Sequence, residues 1–388
     1  MKLGRKDGTK NERNLIQICL LGTAVLLLPS LVQAQFTYTN IDGGIYDYDT
    51  NADGVSLTIN GYVGPPWTVT IPTNIDGLMV IRIGEFAFAE MDEGPWNLTG
   101  ITIPASVTSI GAGAFYSCAS LTGVTLPSSI TNFGNNVFDS CYSVTNVTIA
   151  NGITSTGEGT FANCFSLTSV TLPQSVTNIG FGSFYNCIDL TNFTILGCVT
   201  SIGTEAFDSC AFTNFTIPAS VTSIGDSAFD NCDNLISITI PVNVTNIGIE
   251  TFELCDTLTS VYFKGNAPNF VASPFWGDSK ATLYYLPGAI GWRNFSTEIG
   301  DPPVTAITPV LWTPQVQESG ISLGVRSDQF GFNIIGTNNF TVVVETCTSL
   351  AGHVWTPLQT NTLANGSYYF SDPQWTNYGS RFYQLSMP

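Results

Sequence analysis

Seven cysteines recur along the middle of the chain at an almost constant interval, and their thiols offer the widest choice of chemistry in the sequence. Successive members are 23, 23, 23, 23, 22 and 23 residues apart, and a phenylalanine stands three places before each one. The series runs Phe115, Cys118, Phe138, Cys141, Phe161, Cys164, Phe184, Cys187, Phe207, Cys210, Phe229, Cys232, Phe252 and Cys255. Thiols in such a series could pair as disulfides, bind a metal, act as nucleophiles or fill a core.

Stacking of the 23-residue units would decide between these roles. Equivalent Cα and Cβ atoms of adjacent units would then lie ~4.8 Å apart. The Cα spacing permits a disulfide, and export favours oxidation, but the Cβ spacing exceeds the ~3.8 Å that a disulfide prefers. A straight row also lacks the convergence of ligands that zinc requires. We therefore predict a ladder of buried, unreactive thiols, with disulfides between some members as the main alternative.

The sequence gives little support for catalysis by histidine or by a carboxylate pair. The single histidine, His353, lies outside the repeats, which therefore have no Ser-His or Cys-His pair. Carboxylates crowd an insertion at 90–97 and recur directly after the phenylalanines, at Asp139, Asp208 and Asp230. A hydrolase that attacks neutral polysaccharide through a carboxylate pair is therefore the first alternative to a non-enzymatic protein. We expect a solvated face at these positions, no enzymatic activity and no cofactor.

One short run has the spacing of a calcium-binding loop. In an EF-hand loop a glycine would stand where this chain has Ala52, and a bidentate glutamate where it has Thr58. We therefore predict a hairpin turn here, with calcium binding as a weak alternative and no other metal site. The candidate calcium ligands are Asp47, Asp49, Asn51 and Asp53.

The sequence around these cysteines is a repeat of about 23 residues. Runs such as "VTLP" and "FTIP" predict a short strand that ends at proline, and "SVTSIG" predicts a second extended segment that ends at glycine. The segment "AGAFYSC" predicts a compact turn that carries its Phe and Cys inward. One unit cannot enclose a core, but stacked units can, and each large buried side chain then contributes roughly 1.5–3 kcal/mol.

Uncharged polar side chains occupy the outward positions of the predicted strands. Threonine suits an exposed strand and can bond to its cross-strand copy, so these columns can be purely structural. They can equally form a broad surface that binds a protein or a neutral glycan. The candidate binding residues are Thr102, Thr125, Asn146, Thr148, Ser169, Thr171, Asn192, Thr194, Asn214, Thr216, Ser237, Thr239 and Tyr262.

The pattern L-x-x-V-x-L-P with I-G-x-x-A-F-x-x-C resembles the BspA-like leucine-rich repeats of bacterial secreted and surface proteins, over about 67–287. The resemblance implies a leucine-rich repeat solenoid, a mainly β fold and a role in adhesion or protein binding. Some repeats depart from the pattern: Thr156 replaces the isoleucine, Ala150 and Leu196 replace the proline, and Phe212 comes one residue early. We expect these departures to affect single coils and not the fold.

The flanking sequences divide the chain into five parts. Residues 1–34 have the basic head, apolar run and small-residue end of a secretory signal peptide, with an uncleaved anchor as the alternative. We predict a β cap at 35–66 and the solenoid with a closing half-repeat at 67–299. A proline-stiffened linker at 300–310 and a small β-sandwich at 311–388 follow, because strand-like runs there alternate with turn residues.

The charge balance narrows the choice of partners. The leader holds five of the 11 basic and two of the 29 acidic residues, which leaves 6 basic against 27 acidic ones. Between Ile83 and Phe263 there is no lysine or arginine. Nucleic acid and anionic lipid surfaces need such cations, so neither is an expected partner. We expect a monomer, secreted or at the cell surface, without a membrane span after signal removal. An ice-binding solenoid is a further alternative that the regular threonine rows suggest.

Overall fold

A computed structural model gives the fold of most of the chain. It describes residues 36–65, 67–90, 97–149, 151–270, 273–278, 280–286, 289–292, 309–311, 315–316, 323–326, 329–336, 340–349 and 354–386. The predicted signal peptide, most of the predicted linker, His353, Asp92 and Glu93 lie outside these residues. Strands, turns and two short 3₁₀ segments, Ala364–Gly366 and Trp375–Asn377, make up the described chain. None of its residues forms a helix long and apolar enough to span a membrane.

Each repeat begins with a short strand whose side chains alternate between core and solvent. In the run 123–126, for example, Val124 and Leu126 are buried while Thr125 between them is exposed. These strands pair in parallel and in register, and we call them together the first-strand sheet, although it is divided into three segments. The segments are Thr68–Thr70 with Gly100–Thr102; Gly123–Leu126, Asn146–Ile149, Ser169–Leu172 and Asn192–Ile195; and Asn214–Thr216, Ser237–Ile240, Ser260–Phe263, Thr282–Tyr285 and Val310–Leu311.

The extended segment that follows each first strand forms a second parallel sheet. Its strands are only two residues long, and glycine follows every one except the last. They are Ser109–Ile110, Asn132–Phe133, Asn178–Ile179, Ser201–Ile202, Ser223–Ile224, Asn246–Ile247 and Asn269–Phe270. In the coil between the strands at 132–133 and 178–179, where Thr156 replaces isoleucine, only an isolated bridge from Ser155 to Asn178 remains.

The N-terminal cap is an antiparallel sheet that continues into the second sheet of the solenoid. Phe36–Thr39, Ile45–Thr50 and Ser56–Val63 pair in that order, and Ser56–Val63 then pairs in parallel with Leu78–Ile83. Leu78–Ile83 in turn pairs with Ser109–Ile110 of the first full coil and, in antiparallel, with Asn74–Ile75. The cap thus covers the edge that the first coil would otherwise leave unpaired.

The turn that carries phenylalanine and cysteine is bonded to the neighbouring coils through both its main chain and its thiol. Main-chain bonds such as Phe161 N–H to the Ser183 carbonyl (2.8 Å) link one turn to the next. Each ladder thiol donates to the carbonyl of the phenylalanine one coil earlier, at 3.1–3.3 Å, as Cys187 Sγ does to Phe161. The turn also needs left-handed backbone, at Asn163 and Asn186 for example, which explains its glycine, serine and asparagine residues.

The core of the solenoid is one continuous column of rings and aliphatic side chains. Adjacent ladder phenylalanines stack with centroids 5.1–5.7 Å apart, from Phe88 to Phe275. Phe212, which comes one residue early in the repeat, is fully buried against Phe193, Phe207 and Phe215. The shortened repeat therefore keeps the column filled while its strand pairing is interrupted.

The C-terminal part is a small β-sandwich. One sheet contains Gln315–Val316, Leu323–Arg326, Gln329–Ile335 and Ser367–Asp372, and the other Phe340–Cys347, Thr356–Leu363 and Phe382–Ser386. Phe332, Ile334, Val342, Val344 and Phe370 lie between the sheets. A buried ion pair from Arg381 Nε to Asp372 Oδ2 (2.8 Å) and a bond from the Tyr383 hydroxyl to the same oxygen (2.8 Å) link the two sheets.

The sandwich packs directly against the end of the solenoid. Its apolar cluster includes Tyr262, Tyr284 and Leu286, which belong to the last two coils. Val310, the last residue of the predicted linker, lies in the strand Val310–Leu311, which pairs in parallel with Thr282–Tyr285. The first-strand sheet therefore continues up to the boundary of the sandwich.

The phenylalanine column predicts a large contrast between two phenylalanines three residues apart. Phe184→Ala should lower the free energy of unfolding by about 3–5 kcal/mol, because a fully buried ring leaves a cavity between stacked coils. Phe181→Ala should change it by less than about 0.5 kcal/mol, because that ring is 49% exposed. Urea denaturation followed by circular dichroism measures both, and equal losses would contradict the stacked column.

Candidate binding surface

The first-strand sheet presents a continuous array of small polar side chains to solvent. Its outward residues from Thr102 to Thr216 are exposed, and neighbouring copies are aligned residue for residue, as in the row Thr125, Thr148, Thr171 and Thr194. We call this array the threonine face. It consists of Thr102, Thr125, Asn146, Thr148, Ser169, Thr171, Asn192, Thr194, Asn214 and Thr216.

The hydroxyls of the threonine face differ from those of the columns beside it. In the flanking column the hydroxyls of Thr122, Thr145 and Thr168 each donate to a carbonyl of the previous coil, as Thr145 Oγ1 does to Thr122 (3.3 Å). The second sheet has the same arrangement, with Thr177 Oγ1 donating to the Thr154 carbonyl (3.3 Å). Within the described residues, no protein group bonds to the hydroxyl of Thr148 or its copies on the threonine face. These hydroxyls are available to a ligand.

A groove lies in the middle of the threonine face, around Thr148 and Thr171. It has a volume of about 780 Å³ and lies where the proline that ends most first strands is replaced in two coils. One of these replacements, Leu196, is 57% exposed and forms an apolar wall, and the other, Ala150, lies outside the described residues. The groove is lined by Ser128, Val147, Thr148, Ile149, Asn151, Thr171, Pro173, Gln174 and Leu196. Apolar and uncharged polar groups thus meet around Thr148 and Thr171.

The C-terminal end of the predicted binding surface is covered. Tyr262, which the sequence places in the binding array, is only 8% exposed and belongs to the apolar cluster of the sandwich. Ser237 and Thr239 one coil earlier are half-buried. The prediction of an exposed Tyr262 was wrong because the sandwich, which has no counterpart in the repeat pattern, packs on this end. Its ring stacks on Tyr284 at 5.1 Å.

The ladder thiols lie in the interior and are free. Cys118, Cys141, Cys164, Cys187, Cys210, Cys232 and Cys255 are buried, and none is in a disulfide. Burial raises the pKa of the Cys187 and Cys210 thiols, so the thiolate form that would attack an electrophile or bind a metal is suppressed. Of the two cysteines outside the ladder in the described part of the chain, Cys198 is exposed and Cys347 is buried.

The run with calcium-loop spacing lies in a hairpin of the N-terminal cap. Its side-chain oxygens accept hydrogen bonds from groups of the same hairpin, and Asp47 faces Gly61 across the two strands. The bonds run from Asn60 Nδ2 to Asp49 Oδ2 (2.8 Å), from Thr58 Oγ1 to Asn51 Oδ1 (2.7 Å) and from Val55 N to Asp53 Oδ1 (3.0 Å). These bonds give the run a structural role in the turn.

Asp139, Asp208 and Asp230, which were considered for hydrolysis, lie at the phenylalanine turns and do not line the groove. Asp139 accepts bonds from Ser140 and Asn163, both at 3.0 Å, and Asp208 accepts one from Ser209 at 2.7 Å. Neither the groove nor a second one of about 650 Å³ around Lys264 is lined by a carboxylate. Over the described residues, no three His, Cys, Asp or Glu side chains converge as metal ligands would.

The matching sequence profile and the similar solved structures described here all come from leucine-rich repeat or leucine-rich proteins. The sequence profile of the BspA-type leucine-rich repeat region matches residues 68–190 and 155–282, with six copies. A leucine-rich repeat protein of T. pallidum is 26% identical and is matched over 55% of this chain and 87% of its own, with a TM-score of 0.42. No curated protein matched.

Two further solved structures are similar. A leucine-rich repeat protein of Bacteroides ovatus is 24% identical over 57% of this chain and 70% of its own, with a TM-score of 0.39. A leucine-rich cell surface protein of Faecalibacterium prausnitzii is 25% identical over 66% of this chain and 90% of its own, with a TM-score of 0.35.

The positions of the thiols predict selective labelling. In the native protein, iodoacetamide should modify Cys198 at least about a hundredfold faster than Cys187, because the buried thiol reacts only after the coils open. Peptide mapping by mass spectrometry after timed labelling measures both rates. Labelling in guanidinium chloride is the control and should remove the difference, whereas equal native rates would contradict a closed ladder.

Proposed function

Because the BspA-type repeat profile covers more than half of the chain, which therefore belongs to this leucine-rich repeat family, we propose that it is an exported, non-enzymatic binding protein. Its threonine face and the groove around Thr148 would contact a protein or a neutral glycan at the cell surface. The observation that carries this proposal is the row of exposed hydroxyls that have no hydrogen-bond partner in the described part of the chain, whereas other rows of threonine have bonded hydroxyls.

The chemistry of the surface supports an uncharged contact. The threonine face carries no ionisable side chain, and no lysine or arginine occurs between Ile83 and Phe263. A polar surface of this kind gains affinity from directed hydrogen bonds, which aligned hydroxyls and amides can both donate and accept. The exposed Leu196 adds the apolar contact that a central anchor of a protein interface or one face of a sugar ring would use.

Export and surface location rest on the N-terminal sequence. The basic head, apolar run and Val32-Gln33-Ala34 of residues 1–34 fit a cleaved secretory signal. A similar solved structure carries the description of a cell surface protein. Sequencing the N-terminus of the protein recovered from culture medium and cell envelope tests this part, and a retained leader in both would overturn the cleaved form.

The two alternatives find less support in the structure. A polysaccharide hydrolase needs a carboxylate pair at its substrate groove, and none of the residues that line the groove around Thr148 is a carboxylate. An ice-binding role needs a flat, unbroken array of hydroxyls, whereas pairing in the first-strand sheet is interrupted after the strands Gly100–Thr102 and Asn192–Ile195.

A matched pair of double variants tests the binding surface. Thr148→Lys with Thr171→Lys places two charged side chains in the groove and should weaken binding at least tenfold, or about 1.4 kcal/mol. Binding is measured to immobilised extracellular proteins and to arrays of neutral glycans, with the wild-type protein defining the ligand that is followed.

The control carries the same charge change on the other sheet. Thr154→Lys with Thr177→Lys alters exposed threonines in adjacent coils of the second sheet and should leave affinity unchanged. Circular dichroism verifies the fold of both proteins. Loss of binding in the control alone would move the site to the second sheet, and equal affinity of all three proteins would refute the threonine face.

A further inference from the structure

The last rung of the cysteine ladder is occupied by a carboxyl group. Asp278 stands three residues after Phe275, whose ring stacks on Phe252 at 5.3 Å, so Asp278 has the ladder position one coil beyond Cys255. Its main chain makes the same bonds as a ladder cysteine, from Asp278 N to the Phe275 carbonyl (3.3 Å) and from Ala281 N to the Asp278 carbonyl (3.1 Å). The position therefore continues the register of the solenoid.

The surroundings of this carboxyl group do not suit a charge. Asp278 is 3% exposed, and within the described residues neither of its side-chain oxygens has a hydrogen-bond partner. The groups that act on it electrostatically are the backbone amide of Cys255, which favours the ionised form, and the carboxylates of Asp256, Asp230 and Glu253, which oppose it. Lys280, the nearest basic residue in sequence, donates to the Asp256 carbonyl at the surface. An ionised Asp278 would thus be buried, unpaired and among like charges.

We propose that Asp278 is held as a neutral carboxylic acid that takes the place of an eighth thiol, and that its ionisation opens the last coil of the solenoid. In every other rung the side chain donates to the phenylalanine carbonyl one coil earlier, and for Asp278 this acceptor is the Phe252 carbonyl. Only the protonated carboxyl has a hydrogen to donate to it. Opening of the coil gives the ionised form access to water.

The electrostatics agree with this geometry. Burial raises the pKa of Asp278 from 3.8 to about 8. The backbone amide of Cys255 opposes this rise, and the charges of Asp256, Asp230 and Glu253 add to it. An acid whose folded pKa lies above its unfolded pKa keeps its proton in the closed state and loses it in the open state. Its contribution to stability is therefore fully present below pH 3.8 and is lost progressively as the pH rises to about 8.

The last coil is also the coil on which the sandwich rests. Tyr284 and Leu286, six and eight residues after Asp278, pack in the apolar cluster of the sandwich. Opening of 275–286 would remove both side chains from that cluster. The proton on Asp278 therefore links pH to the junction between the solenoid and the sandwich, independently of what the threonine face binds.

Hydrogen exchange of the full mature chain tests the proposal. Asp278→Cys restores a thiol rung and cannot ionise between pH 5 and pH 7 in either state. The opening constant of 275–286 is corrected for intrinsic exchange and expressed as the ratio of the wild-type value to the D278C value. This ratio should rise about tenfold for each pH unit, and so about a hundredfold from pH 5 to pH 7, because opening releases one proton. Asp278→Asn should behave like D278C.

The control is Asp233→Asn, which removes an exposed carboxylate from the equivalent position one coil earlier, is not among the groups that act on Asp278, and should retain the wild-type pH dependence. A ratio that stays constant with pH would overturn the proposal, as would equal pH dependence in D278C, D278N and the wild-type protein. If both Asp278 variants fail to fold, hydrogen exchange of the wild-type protein alone still tests the proposal. Exchange of 275–286 that does not become faster, after correction, between pH 5 and pH 7 would refute it.

Discussion

The structure depends on one constraint, the register in which each coil contacts the next. Parallel strand pairing, ring stacking and the bond from each ladder thiol to the preceding phenylalanine carbonyl all repeat with the same offset. A coil displaced by one residue would turn its Val and Leu to solvent and its Thr to the core. The ladder thus fixes the inward side chains, and by doing so it also aligns the outward ones into rows. The threonine face is a consequence of the register that the interior imposes.

The interior of the solenoid could be predicted from the sequence because each repeat contains the same information. The spacing of Phe161, Cys164 and their copies predicts both the strand that precedes them and the side that they face, and the fold agrees. Contacts that do not recur with the 23-residue repeat could not be predicted in this way. Tyr262 fits the pattern as an outward residue, and only the position of the sandwich shows that it is buried. A signal was nevertheless present, since the threonine column changes to tyrosine at Tyr262 and Tyr284.

The candidate site shows a second limit of reasoning from residue type. Threonines occupy three columns, two along the first-strand sheet and one along the second sheet, and the sequence makes them equivalent. In two of these columns, as at Thr145 and Thr177, the hydroxyl donates to the carbonyl of the adjacent coil that also accepts the main-chain N–H of the same threonine. On the threonine face the side chain stands perpendicular to the paired strands and points away from the main chain. Only the geometry separates a structural threonine from one that is free to bind.

The exposed edges of the first and last coils of the solenoid are covered in different ways. At the N-terminal end an antiparallel sheet pairs with the first coil and protects it with main-chain bonds. At the C-terminal end Trp292 packs on Tyr285 and donates to the Gly265 carbonyl, while the sandwich covers Tyr262 and Tyr284. The second closure combines the short strand Val310–Leu311, which pairs with Thr282–Tyr285, with side-chain packing, and side chains can be altered one at a time without breaking that strand pair. A titratable residue such as Asp278 can therefore affect this end locally, whereas the same residue in a central rung would disturb two coils at once.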